Sequence, residues 1–172
     1  MTVHVHEHCL KMATREDGTP WWAAFPEPKS VPDKIDPKEV LQLLEAHGQA
    51  TSRQAQTPRD FLLVDARRTD CTGGTIHSSI NLPAHSFYPT RKTLYDMCTQ
   101  AGIKRVIFYC GSSNGRGPRC AAWMQDYTNE VSGDLQSQVM TGGIRGWVKA
   151  HGSHMTDAYD EKVWQVEGGK HE

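Results

Sequence analysis

Arg105-Val106-Ile107-Phe108-Tyr109, then Cys110-Gly111-Ser112-Ser113-Asn114-Gly115-Arg116, then Gly117-Pro118-Arg119 is the stretch that decides the fold of this chain. Five residues rich in β-branched and aromatic side chains predict a buried strand. The Gly- and Ser-rich run after them predicts a tight loop. Arg119 to Asn129 has helix-forming content, with Pro near its first turn, where proline is tolerated. Strand, small-residue loop and helix in that order place a run of backbone N–H groups and the positive end of a helix around one point. Such a point attracts an anion. The glycines at 111, 115 and 117 are expected to supply positive φ angles for the turn, and Arg116 to fold back and grip two oxygens at once. The same field favours the ionised sulfur of Cys110, so the sequence predicts a nucleophile and an oxyanion site in one device.

Working outward, Phe61-Leu62-Leu63-Val64 is a second strand of the kind buried on both faces, with Asp65 at its carboxyl end. Short strands are predicted at Ser79 to Leu82 and Gln138 to Met140. Asp36-Pro37-Lys38-Glu39 reads as a helix start, with Asp as the cap, Pro at the first position and Glu at the third. Gly48 is expected to end that helix. Further helices are predicted at Thr93 to Gln100, stopped by Gly102, and at Ile144 to Ala150. Strands alternating with helices imply an α/β fold with a mainly parallel sheet.

The 172 residues, 37% of them hydrophobic, suit one domain of modest core. Residues 1 to 35, with Pro20, Pro26, Pro28 and Pro32, are expected to form an extended lead-in packed on a single catalytic domain spanning 36 to 172. Lys plus Arg number 19 against 20 Asp plus Glu, which excludes the global basic field of a nucleic-acid or anionic-membrane binder. The local balance differs: Arg91 to Cys120 carries Arg91, Lys92, Lys104, Arg105, Arg116 and Arg119 against Asp96 alone. Five irregularly spaced cysteines, a start without an apolar signal run and no stretch of about 20 apolar residues predict a soluble protein of a reducing compartment, the cytoplasm or also the nucleus. His4, His6, His8 and Cys9 alternate as a metal site would, but read more simply as a polar terminus, and no metal is expected.

The Cys-(x)5-Arg-Gly-Pro-Arg run at 110 to 119 resembles the active-site loop of the cell-division-cycle dual-specificity phosphatases and of the arsenate reductases related to them, both on the rhodanese fold. Val64-Asp65-Ala66-Arg67, Gly73-Gly74-Thr75-Ile76-His77 and Asn81-Leu82-Pro83 are similar to the amino-terminal signature of rhodanese-like domains. Gly142-Gly143-Ile144-Arg145-Gly146-Trp147 is similar to their carboxyl-terminal one. The resemblance implies a three-layer α/β fold, a mainly parallel central sheet flanked by helices. It implies Cys110 as nucleophile, Arg116 as oxyanion clamp, the amides of Gly111, Ser112, Ser113, Asn114, Gly115 and Arg116 as the cradle, and Asp65 as a supporting group.

Two activities follow from the resemblance: reduction of arsenate, and hydrolysis of phosphotyrosine-like esters. The phosphatases carry acidic residues where this chain has Gly111 and Gly115, and a histidine in place of Tyr109, so the loop holds no general acid for an alcohol leaving group. Arsenate reduction needs no bound cofactor, only an external thiol such as glutathione with a glutaredoxin. An internal resolving thiol would be Cys71 or Cys120. His77 and His85 are weaker proton-donor candidates. The expected ligand is phosphate, arsenate or a sulfate-like anion, with oligomeric state left open. The alternatives are a thiosulfate or persulfide sulfurtransferase, disfavoured by the length of the loop, and a non-catalytic rhodanese-type binding module, disfavoured by retention of Cys110 and Arg116.

Overall fold

The computed structural model describes residues 18–53 and 58–168. The alternating His4, His6, His8 and Cys9 lie outside them. Five parallel strands form the central sheet in the order β1 (Asp33–Ile35), β6 (Gln136–Met140), β5 (Arg105–Tyr109), β2 (Phe61–Asp65) and β4 (Ile80–Asn81). Helices cover both faces, so this is the three-layer α/β architecture with a parallel sheet.

Residues 61–64 of β2 and 106–109 of β5 are apolar or aromatic throughout for a physical reason. Val64, Val106 and Phe108 face one core, together with Phe87 and Leu94 of α2 (Ala84–Gln100) and Trp123 and Met124 of α3 (Arg116–Glu130). Leu63, Ile107 and Tyr109 face the other, with Val40 and Leu44 of α1 (Pro37–Arg53) and Ile144 and Trp147 of α4 (Gly143–His151). A strand covered on both sides has no solvent face on which to place polar residues.

Local chemistry sets the start of α1. The Asp36 carboxylate accepts from the Lys38 amide at 2.8 Å while the Glu39 carboxylate accepts from the Asp36 amide at 3.0 Å, a reciprocal cap that starts α1. Gly48 does not end it. The helix continues to Arg53, since a glycine in a helix costs only about 1 kcal/mol relative to alanine. α2 likewise begins nine residues before Thr93, at Ala84, and runs through Pro89. Burial of Ala84, Phe87, Leu94 and Cys98 along one side holds its two halves together against the missing amide. Gly102, at φ +73°, follows its end.

Several elements have no counterpart in the sequence reading. β1 joins the sheet edge beside β6, with Lys34 opposite Val139. β3 (Thr75–Ile76) pairs antiparallel with β7 (Thr156–Asp157) in a separate two-stranded ribbon, and α5 (Glu161–Gly168) follows. The segment before β1 is fastened to α3. Trp21 is buried with its ring centre 6.0 Å from that of Trp123, the Trp123 indole donates to the Pro26 carbonyl at 2.8 Å, and the amides of Lys29 and Ser30 donate to Asp126 at 2.8 and 2.7 Å. No helix among the described residues is long and apolar enough to cross a membrane.

Candidate active site

In a parallel sheet all strands end on the same side, and ligands gather at those carboxyl ends. The register Val64↔Phe108 and Asp65↔Tyr109 brings β2 and β5 to the same level, and the Ala66 amide donates to the Tyr109 carbonyl at 2.8 Å. Cys110 is the first residue beyond β5, and α3 begins at Arg116. The intervening loop is a strand-to-helix turn with the amino terminus of a 15-residue helix behind it.

The loop does not close as the glycines suggest. Positive φ falls on Ser113, at +56°, and not on Gly111, Gly115 or Gly117. Ser113 is buried, and its hydroxyl accepts from the Cys110 amide at 3.4 Å, which ties the two ends of the turn. Gly115 is needed for another reason: its φ of −143° with ψ of −80° lies outside the ordinary β and α regions. From the far side, the amides of Ile144 and Arg145 at the start of α4 donate to the carbonyls of Cys110 and Gly111 at 2.9 and 3.1 Å. Those two carbonyls are thereby engaged on the α4 side of the loop.

Cys110 and Arg116 both line a cleft of about 710 Å³, together with Gly111, Ser112, Asn114 and Gly115 of the loop and Trp21, Trp22, Pro28 and Pro32 of the segment before β1. Arg119 and Arg145 also border it. Arg119 lies over the Trp22 ring at 4.8 Å and pairs with Glu27 at 2.7 Å. The structure thus gathers Cys110, Arg116 and the loop backbone at one place. Asp65 is elsewhere engaged. It is fully buried and is held by the Arg67 guanidinium, Nη2 to Oδ2 at 2.6 Å, with the Thr75 hydroxyl at 3.2 Å.

The carboxylate that meets Arg116 is Asp70, a residue the sequence reading does not single out. Arg116 donates through Nη1 and Nη2 to the two carboxylate oxygens at 2.7 and 2.5 Å. Burial opposes ionisation of Asp70, but the hydrogen bond and charge of Arg116 outweigh it and hold the carboxyl at about 2. Reciprocally, the Asp70 hydrogen bond raises the Arg116 guanidinium above its ordinary value, with smaller contributions from the charges of Asp70, Cys110 and Asp65 and with burial opposing. The only signal in the sequence is an Asp in the loop after β2, five residues beyond Asp65, which by itself names no partner.

The other candidates separate by burial. Cys71 is exposed and Cys120 is wholly buried, where burial first and the neighbouring Cys110 second push its thiol well up. His77 is exposed and pairs with Asp157 at 2.7 Å, and the His85 ring packs tilted against Trp21 at 4.6 Å between ring centres. Neither histidine borders the cleft. Among the described residues no cluster of three or more His, Cys, Asp or Glu forms a metal site.

This architecture is that of a rhodanese-like domain: the family model matches residues 36–150, and the chain belongs to that family. Within it, the chain is similar to Arsenical-resistance protein 2 of Saccharomyces cerevisiae, 29% identical over 97 residues that cover 52% of this chain and 75% of the yeast protein. Among solved structures it is similar to the As-Sb reductase of Leishmania major, with a TM-score of 0.62 and 18% identity over 80% of this chain and 99% of that one. It is also similar to a yeast protein tyrosine phosphatase of the rhodanese family, with a TM-score of 0.61 and 22% identity over 79% and 99%. At these identities the two structures show the shared fold.

Proposed function

We propose that this chain is a cysteine-thiolate enzyme that takes a tetrahedral oxyanion into the 110–116 loop, and that its reaction is the reduction of arsenate by thiols. The observation that carries the reading is that Cys110, Arg116 and residues of the loop between them line one cleft at the amino terminus of α3. Sulfur attacks arsenic, and one oxygen leaves as water after protonation. An external thiol then attacks the Cys110 sulfur of the adduct, expelling arsenite as arsenic gains the electron pair of the S–As bond. A second thiol releases Cys110, so two thiols become one disulfide for each arsenate reduced. Glutathione with a glutaredoxin supplies the thiols in this reading.

Support comes from two sides. The similarity to a yeast arsenical-resistance protein points to this chemistry. The loop carries no acidic side chain between Cys110 and Arg116, which hydrolysis of an alkyl ester would call for and loss of water from arsenate does not. Of the two thiols considered as internal partners, exposed Cys71 is chemically available, whereas Cys120 is sealed in the core and held neutral.

A second reading, hydrolysis of aryl phosphates, is favoured by the size of the cleft. About 710 Å³ is the volume of a site for a drug-sized ligand, far more than one oxyanion fills, and Trp21, Trp22 and Pro118 give it apolar surface. Arsenate reduction with glutathione and glutaredoxin, hydrolysis of an aryl phosphate and thiocyanate formation from thiosulfate and cyanide, each measured in wild type and Cys110→Ser, test the assignment. Arsenate reduction abolished by Cys110→Ser supports the first reading. Activity only on the ester moves it to the second, and activity only with thiosulfate, or none at all, overturns both.

A further inference from the structure

The segment after residue 150, beyond the match to the family model, meets the chain next to the clamp. The loop between β2 and β3 carries Asp70 at its crest and turns through Gly73 and Gly74, at φ +88° and +109°. The Trp164 indole of α5 donates to the Gly73 carbonyl at 2.7 Å, and the Asp160 amide reaches the same oxygen at 3.3 Å. A β-carbon on Gly73 would lie 3.0 Å from the Trp164 ring, and one on Gly74 would lie 2.7 Å from the Asp157 carbonyl. From below, Arg67, anchored on buried Asp65, donates to the carbonyls of Gly74 at 2.6 Å and Asp70 at 3.4 Å. The loop is therefore held from both sides, and it reaches the end of the cysteine loop through the two-pronged grip of Asp70 on Arg116.

A guanidinium offers two edges for forked hydrogen bonding, one across Nη1 and Nη2 and one across Nε and Nη2. Asp70 occupies the first. That leaves the second for an anion over the loop amides and fixes the rotation of the planar group, which otherwise costs entropy on each binding event. The geometry points to Asp70 as the positioning residue of Arg116, with Trp164 of the carboxyl-terminal extension acting through Gly73 to hold Asp70 in place. In this arrangement Asp65 serves the site at second hand, by anchoring Arg67. The inference rests on the proposed oxyanion site and goes beyond it, since it assigns the post-150 segment a part in substrate affinity.

The test is protection of Cys110 from iodoacetamide by arsenate and by phosphate, with melting temperature, KM and kcat for the reaction, in wild type, Asp70→Asn, Asp70→Glu, Trp164→Phe and the Asp70→Asn/Trp164→Phe double variant. Asp70→Asn is expected to raise the anion concentration for half-protection, and KM, by about tenfold or more, as loss of a charged fork does, with Asp70→Glu recovering part of it. Trp164→Phe, which removes one N–H donor, is expected to raise both by about threefold. The double variant is expected to be no worse than Asp70→Asn, because the indole acts only through the carboxylate. Undiminished or tighter protection in Asp70→Asn overturns the role of Asp70, and multiplying effects in the double variant overturn the path through Trp164. Wild type that no oxyanion protects removes the site itself and this role with it, an outcome distinct from the other two.

Discussion

Gly143 stands directly against the carbonyl of Cys110, close enough that no side chain fits between them. A β-carbon there would also lie 2.6 Å from the Gly111 carbonyl oxygen and 2.8 Å from its carbon, and the residue sits at φ +60°. The start of α4 is thereby pressed onto the back of the cysteine loop, where the next two amides bind its carbonyls. Gly143→Ala is expected to lower stability by about 2 kcal/mol or more, the cost of a left-handed non-glycine residue with backbone overlap added. It should also abolish protection of Cys110 by oxyanions even in the folded fraction. Urea unfolding and alkylation kinetics measure the two effects, and an alanine variant with the wild-type midpoint would show that α4 does not brace the loop.

Tyr109 presents the opposite case, a residue next to Cys110 in the chain whose side chain serves the other core. Its hydroxyl meets the Thr75 hydroxyl at 2.7 Å, the Ile76 amide at 3.1 Å and the Ser79 hydroxyl at 2.9 Å, and burial pushes its phenol far above the ordinary range. Tyr109→Phe strands a buried amide donor, at a cost of about 1–3 kcal/mol. Because the hydroxyl does not border the cleft, activity per folded molecule should be retained. A variant of unchanged stability but lost turnover would instead place the phenol in the reaction.

What the sequence showed and what it hid divide along the range of the interactions. The cap at Asp36, the buried β2 and β5 and the cysteine loop are written in residues adjacent to one another, so periodicity and turn chemistry find them. β3 and β7 are two residues each, too short for any pattern, and become strands only by pairing across some 80 residues of chain. The Arg116–Asp70 contact spans 46 positions, so no local spacing marks it. The glycines of the loop misled in an instructive way. They promised left-handed turns, yet buried Ser113 takes the left-handed residue and uses its hydroxyl to bind the Cys110 amide.

The Asp70–Arg116 pair makes a prediction about acid. Asp70 titrates at about 2 in the folded chain, below its ordinary value of 3.8, so the stability it lends is fully present above that ordinary value and is lost as pH falls through about 2. Asp70→Asn should therefore be less stable than wild type at neutral pH, with the gap closing between about pH 4 and pH 2 as the wild-type carboxylate takes up its proton. Denaturant unfolding across that range measures it. A gap that stays constant to pH 2 would mean that the charge of Asp70 contributes nothing.

The cysteines are expected to differ sharply in labelling. Burial pushes Cys98 up to about 11 and Cys120 well above the ordinary thiol value, whereas Cys71 is exposed and Cys110 borders the cleft. At mildly alkaline pH iodoacetamide should modify exposed Cys71 and cleft-lining Cys110 in the native protein and reach Cys98 and Cys120 only after unfolding. Peptide mapping reads the order directly. Early labelling of Cys120 would contradict its place in the core.

Arg116→Lys separates charge from geometry at the centre of the site. Lysine keeps the positive charge near Cys110 but offers one compact ammonium, which cannot grip the Asp70 carboxylate with a rigid fork and present a second forked edge to an anion. Loss of a charged hydrogen bond is worth about 1.5–3 kcal/mol, so the anion concentration for half-protection of Cys110 should rise roughly tenfold to a hundredfold. Added salt should weaken what affinity remains more steeply than in wild type, since a solvated point charge is screened where a half-buried fork is not. If lysine instead protects Cys110 as well as arginine does, the cradle holds its anion by the loop amides and helix end alone, and the guanidinium fork is not what confers binding.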